Sequence, residues 1–110
     1  MEIQVQAQGS LTVVVLTGEI DGKTAPEVQS RLLPLAENGR KLVLDMQKVT
    51  FLSSAGLRVL FLLNRAASSG SGKIFLTGLV PELRDTMSVT GFLKCFQLFD
   101  SQEQAVEALR

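Results

Sequence analysis

The sequence has 110 residues, and 45% of them are hydrophobic, which is typical of one globular domain with its own core. Lysine and arginine number 11, as do aspartate and glutamate, so the formal net charge is zero. This balance argues against nucleic acid or an anionic membrane as the main partner. Histidine is absent, which removes the commonest general base and the commonest metal ligand. We therefore expect no catalytic site, no metal site and no cofactor.

The N-terminal residues and the single cysteine bear on the compartment. Residues 2–8 alternate between polar and apolar, unlike the apolar block of a signal peptide, and no run approaches transmembrane length. Cys95 has no second cysteine to pair with, and we expect it to be a small buried side chain. These features favour a cytoplasmic protein.

The first part of the chain predicts a β-hairpin and then a helix. The alternation over residues 2–8 predicts an edge strand, and residues 11–16 (LTVVVL) predict its antiparallel partner across a two-residue turn. Residues 17–23 predict a loop by composition. A helix is expected from Thr24, as the N-cap, to about Glu37.

Residues 42–67 predict a strand followed by a helix. Residues 42–45 (LVLD) are a short apolar run typical of a buried strand, and residues 55–67 have helical apolar spacing. Ser53 and Ser54 lie between them, where a serine can cap the new helix. The helix dipole favours negative charge at the same place.

The faces of this central helix follow from a rotation of about 100° per residue. The predicted core side consists of Ala55, Val59, Leu62, Leu63 and Ala66. Leu57 and Phe61 instead fall among polar residues, close to Ser54 and Arg58. Either a neighbouring loop covers the two apolar side chains, or they belong to a partner-binding patch that contains Ser54.

The remaining pattern completes an α/β domain. Residues 73–77 predict a strand, Val80 to about Val89 a helix, residues 95–98 a short strand, and the residues after Asp100 a final helix. Strands that alternate with helices indicate right-handed crossovers and a largely parallel sheet. We expect residues 1–110 to form one domain with a mostly parallel central sheet, an N-terminal antiparallel hairpin and helices packed on the sheet.

Two segments resemble enzyme motifs, but each lacks a residue or an arrangement that its motif requires. Residues 68–73 (SSGSGK) lack the first glycine of a phosphate-binding loop and lead from helix into strand, the reverse of the required order. Residues 52–56 (LSSAG) resemble half of a nucleophile elbow, but no histidine exists to activate a serine. A Ser-Lys dyad is the remaining enzymatic alternative, and no lysine is singled out for it.

Asp21 is the other polar residue of interest. Its loop and the start of the central helix both follow strands of the predicted sheet, so the two could share the rim where ligand sites of α/β sheets lie. The alternative is a loop carboxylate that organises a turn.

Residues 18–21 (GEID) and 44–57 (LDMQKVTFLSSAGL) resemble the STAS domain of bacterial anti-sigma factor antagonists, and the resemblance covers nearly the whole chain. It implies that the unphosphorylated protein binds an anti-sigma factor, which then releases its sigma factor. The anti-sigma factor is itself a serine kinase that uses ATP and magnesium, and a separate phosphatase reverses the modification. Other uses of this fold are a phosphorylation-independent scaffold and a subunit of a lipid-transport complex.

The resemblance also implies site residues. Ser54 corresponds to the phosphorylated serine, Ser53 is the second candidate, and Asp21 corresponds to an acidic position beside the phosphosite. Ser53 stands where many members have aspartate, and Arg58 where many have glycine. The expected partner-binding residues are Asp21, Ser53, Ser54, Leu57, Arg58 and Phe61.

Overall fold

In the computed structural model, which describes residues 1–109, an antiparallel hairpin leads into a parallel sheet. The strands are β1 (Glu2–Gln8), β2 (Leu11–Ile20), β3 (Lys41–Leu52), β4 (Lys73–Thr77) and β5 (Gln97–Phe99). They lie side by side in chain order, with β1 antiparallel to β2 and every later pair parallel. The expected fold class is confirmed.

The helices cover both faces of the sheet. They are α1 (Ala25–Glu37), α2 (Ser54–Ser69), α3 (Pro81–Thr90) and α4 (Gln102–Leu109), with a 3₁₀ turn at Phe92–Cys95. Buried residues of α1, α2 and α3 share one core with the sheet, whereas α4 packs Ala105 against Val13, Val43 and Phe75 on the other face. Within residues 1–109, no helix combines the length and apolar character needed to cross a bilayer.

Two strands extend further than their sequence pattern indicates. The predicted loop over residues 17–23 is wrong up to Ile20, because β2 continues there and pairs with an equally extended β3, with Ile20 opposite Leu52. Register shifts after Val15 and Gly18 interrupt the regular pairing. Such bulges break the period of two in the side chains, which explains why the pattern looked like a loop.

The segment before β5 also differs from expectation. The predicted strand over residues 95–98 begins only at Gln97, because residues 92–95 form the 3₁₀ turn. Cys95 ends that turn and is exposed, while its neighbour Phe96 is buried. The expectation that Cys95 lies in the core is therefore wrong.

The buried side of α2 is rotated from the predicted one. Val59 and Leu63 are buried as expected, but Ala55, Leu62 and Ala66 are only partly buried. The buried set also includes Gly56, Leu57, Leu60 and Ala67. Leu57 is 7% exposed and belongs to the main core, so its predicted place on an accessible patch is wrong.

The 3₁₀ turn packs on one flank of α2. The ring of Phe92 meets the ring of Phe61 edge to face, with centroids 5.8 Å apart, and the amide of Asn64 donates to the Cys95 carbonyl oxygen at 3.2 Å. Leu57, Phe61 and Asn64 share one flank of α2 at helical spacing. A neighbouring segment thus covers this flank, and Phe61 is half-buried beneath it.

We expect Leu57→Ala to reduce the free energy of unfolding by about 2–5 kcal/mol, because the truncation leaves a cavity in the core. The matched control is Leu62→Ala, which removes the same atoms from a partly exposed site on the same helix and should cost clearly less. Denaturant unfolding measures both values. A larger loss for Leu62→Ala would contradict the observed orientation of α2.

Candidate functional site

The candidate site lies on the rim where β2 and β3 end. Ile20 and Leu52 are paired at the carboxyl ends of these parallel strands, and Asp21 and Ser53 follow them directly. The Ser53 N–H donates to the Ile20 carbonyl oxygen at 2.9 Å, which ties the end of β2 to the start of α2. The structure thus brings the Asp21 loop and the serine pair to the same rim.

Gly56 makes this close approach sterically feasible. A Cβ at this position would lie 2.7 Å from the Ile20 carbonyl oxygen and 2.7 Å from Cδ1 of Leu52. Both distances are far below van der Waals contact, so any side chain would push α2 away from the sheet. The glycine therefore fixes where the first turn of α2 sits relative to Asp21.

The two serines of the junction have different environments. Ser53 is the N-cap, with extended backbone angles, and its Oγ accepts from the Gly56 N–H at 3.3 Å. Ser54 is the first helical residue and is exposed, and within residues 1–109 its hydroxyl has no hydrogen-bond partner. The hydroxyl that takes no part in hydrogen bonding is thus that of Ser54.

Asp21 organises the loop that faces this serine pair. Its Oδ1 accepts from the backbone N–H groups of Thr24 at 3.1 Å and of Lys23 at 2.9 Å. These two bonds, that of Thr24 first, hold the pKa of the Asp21 carboxyl below its ordinary value, because they stabilise the ionised form. Asp21 therefore carries a negative charge at neutral pH and is held in one orientation.

Thr24 plays a different part from the one its position predicted. It stands at the N-cap of α1, but its side chain makes no capping bond to the helix. Its Oγ1 instead accepts from the Asp21 N–H at 2.9 Å and donates to the Glu19 carbonyl oxygen at 2.7 Å. The Asp21 side chain accepts from the N–H groups of Lys23 and Thr24, which precede the first residue of α1, so it organises the turn before the helix, as the turn-organising interpretation of Asp21 predicts.

The expected partner-binding residues divide by accessibility. Ser54 and Arg58 are exposed, and Asp21, Ser53 and Phe61 are half-buried. Leu57 lies beneath them in the core and offers almost no surface to a partner. The accessible part of the site is therefore polar, with Ser54 and Arg58 most prominent.

Sequence reasoning missed Phe51 as a surface feature. Its side chain is 49% exposed, although phenylalanine is usually buried, and it lies two residues before Ser53. Its neighbour Leu52 is buried, and because side chains alternate along a strand, Phe51 is directed to the opposite face beside Glu19 of β2. The sequence would predict an outward-facing Phe51 only if the predicted strand reached residue 52, because the alternation along the strand then places Thr50 and Leu52 on the other face.

Metal-dependent chemistry has no visible ligand set in the part of the chain that the structure covers. Among residues 1–109, no three or more carboxylate or thiol side chains come together in a way that could hold a metal ion. The groups that the rim does provide are a free hydroxyl, a fixed carboxylate and an exposed guanidinium.

The chain belongs to the STAS domain family, whose model matches residues 2–105. It is 29% identical over 94 residues to the anti-sigma-B factor antagonist of Bacillus subtilis, with 86% of each chain covered. The crystal structure of an anti-sigma factor antagonist from Mycobacterium paratuberculosis superposes with a TM-score of 0.87 at 28% identity, covering 99% of this chain and 93% of that one. The resemblance to anti-sigma factor antagonists is therefore confirmed.

A more distant structural relative shows the same fold. SpoIIAA, an anti-sigma factor antagonist known in unphosphorylated and phosphorylated forms, matches with TM-scores of 0.83 and 0.77. Each form covers 99% of this chain at 17% identity, with 96% and 100% of the respective SpoIIAA chains covered. At this identity the match concerns the architecture.

We expect the stability advantage of wild type over Asp21→Asn to be larger at pH 7 than near pH 3. The pKa of the Asp21 carboxyl is lower in the folded than in the unfolded protein, so the ionised carboxyl adds to the free energy of unfolding. This stabilisation is complete above the unfolded-state pKa of about 3.9 and is lost as the pH falls through the folded-state pKa. Denaturant unfolding at both pH values measures the difference. A difference for Asp21→Asn that stays constant with pH would contradict the role of the carboxylate.

The two serines should also differ in stability measurements. Ser53→Ala removes a capping acceptor and should cost about 0.5–2 kcal/mol, whereas Ser54→Ala removes an exposed, unpaired hydroxyl and should cost little. Thermal unfolding of the two variants, which differ only in which adjacent serine is truncated, provides the comparison. Equal losses would show that Ser53 is not the working cap.

Proposed function

We propose that this chain is the antagonist in a cytoplasmic partner switch. In its unphosphorylated form it binds an anti-sigma factor that is also a serine kinase, and the sigma factor is thereby set free. Phosphorylation of Ser54 ends the binding, and a phosphatase restores it. The observation that carries the proposal is the division between the two serines: Ser53 is engaged as the cap, and Ser54 presents a free, exposed hydroxyl.

The chemistry of the proposed modification requires only an acceptor hydroxyl from this chain. The Ser54 oxygen forms a bond to the γ-phosphorus of ATP held with magnesium by the kinase, the bond to the β-phosphate oxygen breaks, and ADP leaves. The hydroxyl proton passes to a base of the kinase or to solvent. The kinase therefore supplies the catalytic groups, in keeping with the absence of histidine from this sequence.

A phosphate on Ser54 would change the surface far more than the fold. It brings roughly −1.5 to −2 charges near neutral pH to the N-terminus of α2, where the helix dipole favours negative charge. The phosphate would also lie on the same rim as the ionised Asp21. A partner surface shaped for a serine would have to desolvate this dianion and would offer no counter-charge of its own, which is costly.

The proposed contact surface follows the accessible residues of the rim. Ser54 and Arg58 lie at its centre, with Asp21, Ser53 and Phe61 half-buried at its edges. Leu57 supports this surface from the core and is not part of it.

We expect Ser54→Asp to keep the circular dichroism spectrum and melting temperature of wild type but to lose binding to the anti-sigma factor by at least about tenfold, since a buried unpaired charge costs well over 1.4 kcal/mol. Ser54→Ala should bind like wild type. Ser30→Asp, which adds the same charge at an exposed position on α1, is the matched control and should retain binding. Isothermal titration calorimetry measures each affinity.

The same titrations separate the proposal from a phosphorylation-independent scaffold. A scaffold would take up no phosphate from ATP and the kinase, and Ser54→Asp would leave its binding intact. Full affinity of Ser54→Asp for the anti-sigma factor would overturn the proposed switch.

A further inference from the structure

Arg58 lies one helical turn after Ser54 on the outer face of α2. Both side chains are exposed, and residues four apart on a helix have Cβ atoms about 5–6 Å from each other. An arginine side chain is long enough to fold back over such a distance, and its planar guanidinium can donate two parallel hydrogen bonds to a phosphate.

The guanidinium of Arg58 is uncommitted. In the part of the chain that the structure describes, it makes no ion pair and no hydrogen bond. The first turn of α2 contains no acidic residue that could compete for it. The Asp21 carboxylate, on the same rim, already accepts from the N–H groups of Thr24 and Lys23. The energetic cost of recruiting Arg58 is therefore small.

The charges around Ser54 make such a partner useful. Asp21 is ionised on the same rim, and Glu19 and Phe51 are paired neighbours at the ends of β2 and β3. The exposed cations of this region are Lys23 beside Asp21, Lys48 on β3 and Arg58. Of these, Arg58 is the one on the same helix and at the spacing at which side chains meet.

We propose that Arg58 is the internal counter-charge of a phosphate on Ser54, binding it through the guanidinium once the serine is modified. This inference rests on the proposed modification of Ser54. It adds that a residue of the same chain, Arg58, stabilises the phosphorylated state. Before modification Arg58 projects freely from the contact surface. After modification it is drawn onto the phosphate, so that both the new charge and the loss of a free arginine alter that surface.

The test uses the full chain with phosphoserine incorporated at position 54 during synthesis, so that no kinase is needed. Titration of the phosphate by phosphorus NMR gives its second pKa, which is about 6 for an unpaired phosphoserine. A guanidinium stabilises the dianion, so Arg58→Gln should raise the phosphate pKa by roughly half a unit relative to wild type, the size expected for an exposed ion pair. About 1 M salt should remove most of this difference.

Arg65→Gln is the matched control. It removes the same charge from the same helix, but Arg65 is 11 residues from Ser54, or about 16 Å along the axis. Its effect on the phosphate pKa should be much smaller. In the unphosphorylated protein, Arg58→Gln should leave the melting temperature unchanged, because Arg58 has no partner there.

Equal pKa values in Arg58→Gln and wild type, or equal effects of Arg58→Gln and Arg65→Gln, would overturn the inference. Such a result would not touch the proposed function, which fails instead if the anti-sigma factor binds the phosphorylated and unphosphorylated chains alike. The phosphate titration therefore tests the role of Arg58, and the binding measurement tests the proposed function.

Discussion

The site depends on one contact, that between the end of β2 and the first turn of α2. The Ser53 N–H bonds the Ile20 carbonyl oxygen, and Gly56 leaves no side chain between that oxygen and the helix. Because Asp21 follows Ile20 directly, the same contact sets the position of its carboxylate relative to the serine pair. A polar rim of this kind requires a backbone-to-backbone approach that only glycine at position 56 permits.

Adjacent residues of the rim that look alike in the sequence, Ser53 and Ser54, have different structural roles. Ser53 satisfies a backbone donor of the helix, so its hydroxyl serves the fold. Ser54 is one residue further, and its hydroxyl serves no structural purpose that would be lost on modification. Asp21 similarly holds its loop through backbone N–H groups while its charge stays on the rim. A modification at Ser54 can therefore change the electrostatics of the surface while the loop and the helix stay in place.

Much of this arrangement could be predicted from the sequence. The alternation of strand and helix patterns fixed the element order, and the FLSSAG segment placed two serines at the start of α2. The shared rim of Asp21 and the serines followed from the parallel topology. These features are local or topological, so a single chain contains the information for them.

The errors concern contacts between distant segments. Periodicity describes one helix alone, so it leaves open whether Leu57 and Phe61 form a patch or lie under a neighbouring segment. In the structure the 3₁₀ turn over residues 92–95 packs against Phe61 and Asn64 on that flank, and Leu57 is buried. Phe51 was overlooked because bulges in β2 hid the extension of β3 to the rim. Thr24 stands at the N-cap position, yet its hydroxyl bonds the backbone of Asp21 and Glu19 in a loop conformation that composition does not specify.

In the proposed switch, the modified residue is Ser54 and not Ser53. The most direct measurement is mass-spectrometric mapping of the phosphorylated residue after incubation of the wild-type protein with ATP, magnesium and the anti-sigma factor kinase. The account predicts a single phosphate on Ser54, with Ser53→Ala still modified and Ser54→Ala unmodified. A phosphate found on Ser53 in the wild-type protein would contradict it.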